Sequence, residues 1–206
     1  MLTGIAKQSQ ESGVTVKLSL RDMALVSVMT AVTAALGLLP PVPLSFIPVP
    51  ITAQTLGVML AGVVLGCWRG ALCQVLLLLL VAVGAPVLSG GRGGFQVLVG
   101  PSAGFLWAWP VGAWLIGYLT ERSRKLGIGR LMAYNMLGGI GVIYLIGSPV
   151  MGVMTGMPLG EAWMASLVFI PGDLIKAGVA TVLGLAIRRA LLAASLVSVN
   201  AEHGAD

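Results

Sequence analysis

Apolar residues fall into six long blocks along the chain, running approximately over 22–39, 51–66, 68–83, 101–120, 129–150 and 161–188. Each is near the length at which a helix crosses the hydrocarbon core of a bilayer, about 20 residues. The second and third are short and meet at Gly66-Cys67-Trp68-Arg69-Gly70, a glycine-rich break with a charge at its centre. That break predicts a tight helical hairpin rather than one long rod. Nothing resembling a soluble linker separates the blocks. The pattern predicts one all-α membrane domain over 22–190, a polar segment over 1–21 and a tail over 191–206. Residues 1–20 are polar and mixed in charge, without the apolar core and cleavage site of a signal peptide.

Composition turns six apolar helices into six membrane spans. Hydrophobic residues make up 57% of the 206-residue chain and charged residues 9%, against roughly 25% charged in a typical soluble domain. Mean hydropathy is +0.99. So few charges cannot cover a water-facing surface, and the chain reads as a polytopic membrane protein. The pI near 9.7 would suggest nucleic acid in a soluble protein, but here the basic residues orient the chain in the membrane. With the amino terminus inside, Lys7, Lys17, Arg21, Arg69, Arg122, Arg124, Lys125, Arg130, Arg188 and Arg189 fall on the cytoplasmic side, ten of the twelve Lys and Arg. Arg92 falls outside and Lys176 within the last helix. This bias places both termini in the cytoplasm and the protein in the cell membrane.

Two outward connections carry the unusual chemistry. Residues 39–51 contain Pro40, Pro41, Pro43, Pro48 and Pro50, which predicts an extended, stiff segment. Residues 84–100 contain Gly90, Gly91, Gly93 and Gly94 around Arg92. Leu44, Phe46, Ile47, Phe95, Val97 and Leu98 give both segments apolar surface with which to fold back on the bundle. They read either as ordinary outer loops or as a lid over an outward-facing cavity. Beneath them, Pro171-Gly172-Asp173-Leu174-Ile175-Lys176 puts an acid and a base three positions apart, on one helical face. At about 1.5 Å per residue this pair lies roughly 20 Å above Arg188, in the outer half of the bilayer. Ionisable groups at that depth are costly and mark function by default. The alternative is an ion pair that only neutralises itself. Pro171 disturbs the preceding turn and frees carbonyls near Phe169.

Other chemistries find little support. The single histidine, His203, lies in the polar tail, and no second carboxylate stands at membrane depth beside Asp173. An intramembrane enzyme and a metal site are disfavoured. The glycine cluster lacks the Gly-Lys-Ser/Thr ending of a phosphate loop, and no ATPase motif is present. Cys67 and Cys73 point to different helix faces and suggest no disulfide. Ser27, Ala31 and Ala35 form a small-residue stripe on the first helix, suited to close helix approach either within the chain or against a partner.

Several runs together resemble a known family. Val49-Pro50-Ile51-Thr52-Ala53-Gln54-Thr55-Leu56-Gly57, Leu65-Gly66-Cys67-Trp68-Arg69-Gly70-Ala71-Leu72, Gly93-Gly94, Gly100-Pro101-Ser102-Ala103-Gly104-Phe105 and Pro171-Gly172-Asp173-Leu174-Ile175-Lys176 are similar, in order and spacing, to the BioY family. Those proteins are the biotin-binding S components of energy-coupling factor transporters. Ser102-Ala103-Gly104-Phe105 stands where the family more often has Thr-Gly-Gly-Tyr, and leucines in the third helix replace a frequent tyrosine. The resemblance implies a six-helix bundle that binds biotin from outside under a first-loop lid. It also implies that the Ser27, Ala31, Ala35 face meets a transmembrane coupling subunit, with two cytosolic ATPases supplying energy. Asp173 and Lys176 would then serve the ureido ring, with Gln54, Gly90, Gly91, Arg92, Gly93, Gly94, Ser102 and Tyr144 as further candidate contacts. No cofactor or nucleic acid is called for; membrane lipids surround the bundle. Outside the resemblance, an S component for thiamine or riboflavin and a membrane scaffold without a solute stay open.

Overall fold

The computed structural model describes residues 19–203 apart from Phe46 and Arg124, with side chains through Leu191. Lys7, Lys17, Phe46, Arg124, nearly all of the polar segment 1–21 and the side chains of the tail therefore lie outside the described residues.

Helix α1 (Leu20–Leu36) opens with a reciprocal cap: the Ser19 hydroxyl accepts the Asp22 N–H and the Asp22 carboxylate accepts the Ser19 N–H, both at 3.1 Å. Its inward face is Val26, Met29, Thr30 and Thr33, spaced as one stripe of a helix. The proline-rich segment that follows is extended, as its composition demands, but it also pairs with itself. Strands β1 (Val42–Leu44) and β2 (Ile47–Ile51) form an antiparallel hairpin with Leu44 opposite Ile47. Pro43, Pro48 and Pro50 are tolerated because each strand of a two-stranded sheet keeps a free edge. Ile47 and Val49 point inward while Pro48 is exposed, so the hairpin lies on the bundle as a cover.

Helices α2 (Gln54–Leu65) and α3 (Cys67–Ala82) are separated by a single residue, a much tighter turn than the five-residue break expected from sequence. Gly66 makes it possible, at φ 85°, a conformation that costs a side chain dearly. A Cβ there would also stand 1.8 Å from Glu121 Oε1. That oxygen accepts the Cys67 N–H at 3.1 Å, capping α3 from helix α4 (Ala103–Arg122). A short 3-10 turn (Phe95–Val99) precedes α4.

Helices α5 (Ile128–Met136) and α6 (Ile143–Thr155) join through a π-helical segment (Leu137–Val142) into one 28-residue rod. Gly138 and Gly139 let that segment press on its neighbours: a Cβ on Gly138 would meet Gly112 O at 2.7 Å, and one on Gly139 the Met59 side chain at 2.3 Å. Helices α7 (Leu159–Ser166) and α8 (Ile170–His203) join through a 3-10 turn, Leu167–Phe169. Pro171 sits in the first turn of α8, where its missing donor is least costly, and the tightening lies immediately before it.

The result is six helical rods with α4 at the centre, packed on α2, α3 and α6. Two of them, Ile128–Thr155 and Leu159–Leu191, are long and apolar enough to cross a bilayer, and only 44% and 33% of their most apolar windows are buried. A helix in a soluble core would hide that surface. Outward-facing Leu79, Leu145, Val153 and Ile175 tell the same story: this is a membrane protein.

Candidate ligand-binding site

Beneath the hairpin the rods form a partly open cleft with about 60 Å³ of space that a water-sized sphere can enter. Strand β2 and the start of α2 form its roof, α4 and α6 its apolar wall, α8 its polar end and the 84–102 connection its far side. Phe105, Tyr144 and Phe169 stack edge to face with centroids 6.1–6.4 Å apart. Gly147 leaves room for this trio, since a Cβ there would lie 2.3 Å from the Phe105 ring.

Asp173 and Lys176 meet as their spacing predicts. Lys176 Nζ donates to Asp173 Oδ1 at 2.7 Å, and Asp173 is 3% exposed. The pair is not self-contained, because Thr55 on α2 joins it. The Thr55 hydroxyl donates to Asp173 Oδ1 at 3.0 Å and accepts from Lys176 Nζ at 3.1 Å. Tyr144 donates its hydroxyl to Asp173 Oδ2. A carboxylate has about four acceptor sites and an ammonium three donors. Three of the former and two of the latter are used inside the protein. One carboxylate acceptor site and one ammonium donor remain unused on the pair, which lines the cavity. Thr55 lies in the Val49–Gly57 run and is a site residue that the sequence pattern does not single out. Its available signal was a polar Gln54-Thr55 step at the head of an otherwise apolar helix.

Arg92 and Ser102 also line the cavity. Arg92 Nη1 donates to Ser102 Oγ at 3.4 Å and Nε to Ser89 O at 3.2 Å. Half-buried, the guanidinium has its pKa lowered by desolvation, yet arginine stays charged at neutral pH. Among the described residues no carboxylate pairs with it; the salt bridges are Arg69–Asp22 and Lys176–Asp173. The cavity thus holds a neutral acid–base pair and one uncompensated cation.

The other sequence candidates divide. Gly90, Gly91, Gly93 and Gly94 do not line the cavity. Gly90 and Gly91 take positive φ, 77° and 68°, to turn the chain between the bridged residues Leu88 and Arg92, which places the arginine. A Cβ on Gly93 would lie 2.2 Å from Ala85 O. Gln54 reaches the cavity wall, but its amide is wholly engaged within the protein. Ser27, Ala31 and Ala35 are exposed on α1, opposite its buried stripe. Packing within the chain therefore does not account for them.

A model of the BioY family matches residues 8–193, nearly all of the six-rod bundle. The chain belongs to the BioY family. A relative from Rhizobium etli, named biotin transporter BioY, is 49% identical over 176 residues, covering 82% of this chain and 94% of the relative. One from Bacillus subtilis, named probable biotin transporter BioY, is 51% identical over 174 residues, with 84% and 94% covered. Among solved structures, an S component for biotin from an ECF-type ABC transporter superposes with a TM-score of 0.79 at 34% identity, covering 82% of this chain and 91% of that one. The BioY assignment and the cavity rest on independent observations, one on matched sequence and one on geometry.

Proposed function

We propose that this BioY-family chain is a high-affinity biotin-binding membrane subunit, the S component of an energy-coupling factor transporter. The observation that carries the reading is the distribution of polar capacity in the cavity. One acceptor and one donor remain on the Asp173/Lys176 pair at one end, aromatic wall lies between, and an uncompensated Arg92 completes the lining. Biotin is complementary in each part. Its ureido ring offers an N–H to Asp173 Oδ2 and its carbonyl to Lys176, its bicycle and chain are apolar, and its carboxylate pairs with Arg92. Thiamine, a cation, would meet Arg92 with like charge. Names and likeness among relatives support the same solute.

In this reading the six rods are six spans, the domain over 22–190 is flanked by cytoplasmic segments, and the cavity faces outward. Arg69–Asp22 and the Arg188 bond to Val63 O then form the cytoplasmic end. With no ATPase motif in the chain, uptake draws energy from a coupling subunit, docked on the exposed Ala31 face, and two cytosolic ATPases. Purifying the protein from biotin-replete cells, denaturing it and identifying the released molecule by mass spectrometry tests the solute. Biotin in near one-to-one amount is expected; another vitamin, or none after growth in excess biotin, would overturn the proposal.

A further inference from the structure

Gln54 is 1% exposed, and its amide has no capacity left over. Its Nε2 donates to Thr33 O at 3.2 Å and to Val87 O at 3.0 Å. Its Oε1 accepts the Ser89 N–H at 3.0 Å and the Ser89 hydroxyl at 3.4 Å. Two donors and two acceptor sites are all that a glutamine amide has. The three residues it ties belong to α1 and to the connection that carries Arg92. Ser89 in turn uses its carbonyl to accept Arg92 Nε at 3.2 Å, and Leu88 and Arg92 exchange backbone bonds of 3.0 and 3.2 Å. An unbroken chain of hydrogen bonds therefore runs from Gln54 through Ser89 to the one uncompensated cation of the cavity.

Gly37 shows how closely this clamp is fitted. Its φ of −69° is open to any residue, so conformation does not demand glycine there. Space does: a Cβ on Gly37 would stand 2.4 Å from Val87 O and 3.0 Å from Gln54 Nε2. The end of α1 has been cleared for the glutamine clamp, at a position that does not line the cavity.

We infer that Gln54 is a positioning residue that sets ligand specificity by holding Arg92 in place through Ser89, without contacting the ligand itself. Loss of the clamp frees the 87–92 segment and misplaces the guanidinium, while Asp173, Lys176, Thr55 and Tyr144 keep their own bonds. Discrimination between an anionic and a neutral form of the ligand should fall, while recognition of the ring is spared. This rests on the proposal that Arg92 pairs with the carboxylate of biotin.

The test compares Kd for biotin and for biotinamide, in which an uncharged amide replaces the carboxylate, on the full chain purified in detergent. The parent should prefer biotin by about tenfold or more, the scale of one desolvated charge pair, and Arg92→Gln should abolish that preference. Gln54→Met fills similar space without hydrogen bonds. It should cut the preference to within about threefold, with biotin losing more affinity than biotinamide. Gly37→Ala, which acts from outside the cavity, should move the ratio in the same direction and carries the test should Gln54→Met not fold. A preference that survives in the folded Gln54 and Gly37 variants, but not in Arg92→Gln, overturns the inference alone. Equal loss of both ligands in Gln54→Met overturns it as well, by showing that Gln54 serves the ring or the whole fold. A preference untouched by Arg92→Gln overturns the carboxylate assignment and the inference with it.

Discussion

At the scale of single residues, the chemistry of the site follows from how many bonds each buried polar group can make. Asp173 is held by three donors and, in the first turn of α8, also by the positive end of a helix. Such a carboxylate, with three of its roughly four acceptor sites filled, keeps one for a ligand. Asp173→Asn would set an amide N–H where a ligand N–H must bond and would leave Lys176 without its countercharge. Losing a buried charged hydrogen bond costs about 1.5 to 3 kcal/mol. Because a stranded ammonium could unfold the single variant, the informative protein is Asp173→Asn with Lys176→Met. It should purify as the parent does and bind biotin about tenfold or more weakly by titration calorimetry. Near-parental binding by that folded protein would make the pair structural.

At the scale of elements, α1 shows how one helix serves two surfaces. Val26, Met29, Thr30 and Thr33 pack inward, with Thr30 Oγ1 reaching Cys73 O at 3.1 Å, while Ser27, Ala31 and Ala35 face out. Small residues on an outward face let a second helix approach closely, whereas lipid places no such demand. Ala31→Leu and Ala35→Leu should therefore leave biotin affinity within about twofold, since the pocket is untouched, yet reduce uptake several-fold in cells carrying the energising module. Binding assays on the purified chain beside radiolabelled uptake separate the effects; parallel loss of both would return the stripe to internal packing. The β1–β2 hairpin is the other element of consequence. Val49 lines the cavity while Ile47 packs into the core, so the proline-rich segment beside the cavity is a paired structure rather than a stiff single strand.

For the whole molecule, the alternation of rods sets the cavity at one end and the basic collar at the other. Near the short α2–α3 turn Arg69 pairs with Asp22, Glu121 accepts the Cys67 N–H and Arg188 donates to Val63 O, while β2, Arg92 and Asp173 surround the cavity. The charge bias then predicts which end is which. A cysteine at exposed Gln96, in a chain freed of Cys67 and Cys73, should react with an impermeant maleimide added to intact cells. A cysteine replacing Arg122 should react only after permeabilisation. The reverse pattern would invert the orientation and put the cavity on the wrong side for uptake.

Hydrophobic block length placed the six rods, because a helix needs about 20 apolar residues to cross a bilayer, but the last two rods run on past their blocks, to Thr155 and His203. Spacing also placed Asp173 and Lys176 on one face, since three residues of a helix always bring side chains together. The family, too, was legible in the runs around Gln54, Ser102 and Pro171. Tertiary structure decided what local period cannot express. Thr55 joins Asp173 across 118 positions of sequence, and Gln54 turns from a presumed ligand contact into a clamp only once Thr33, Val87 and Ser89 surround it. The glycines of the 90–94 run look like a ligand loop in sequence, yet three-dimensional packing uses them to turn the backbone that carries Arg92. A sequence fixes which bonds a polar side chain is able to make; only the folded chain, by filling some of those bonds, decides which are left for a ligand.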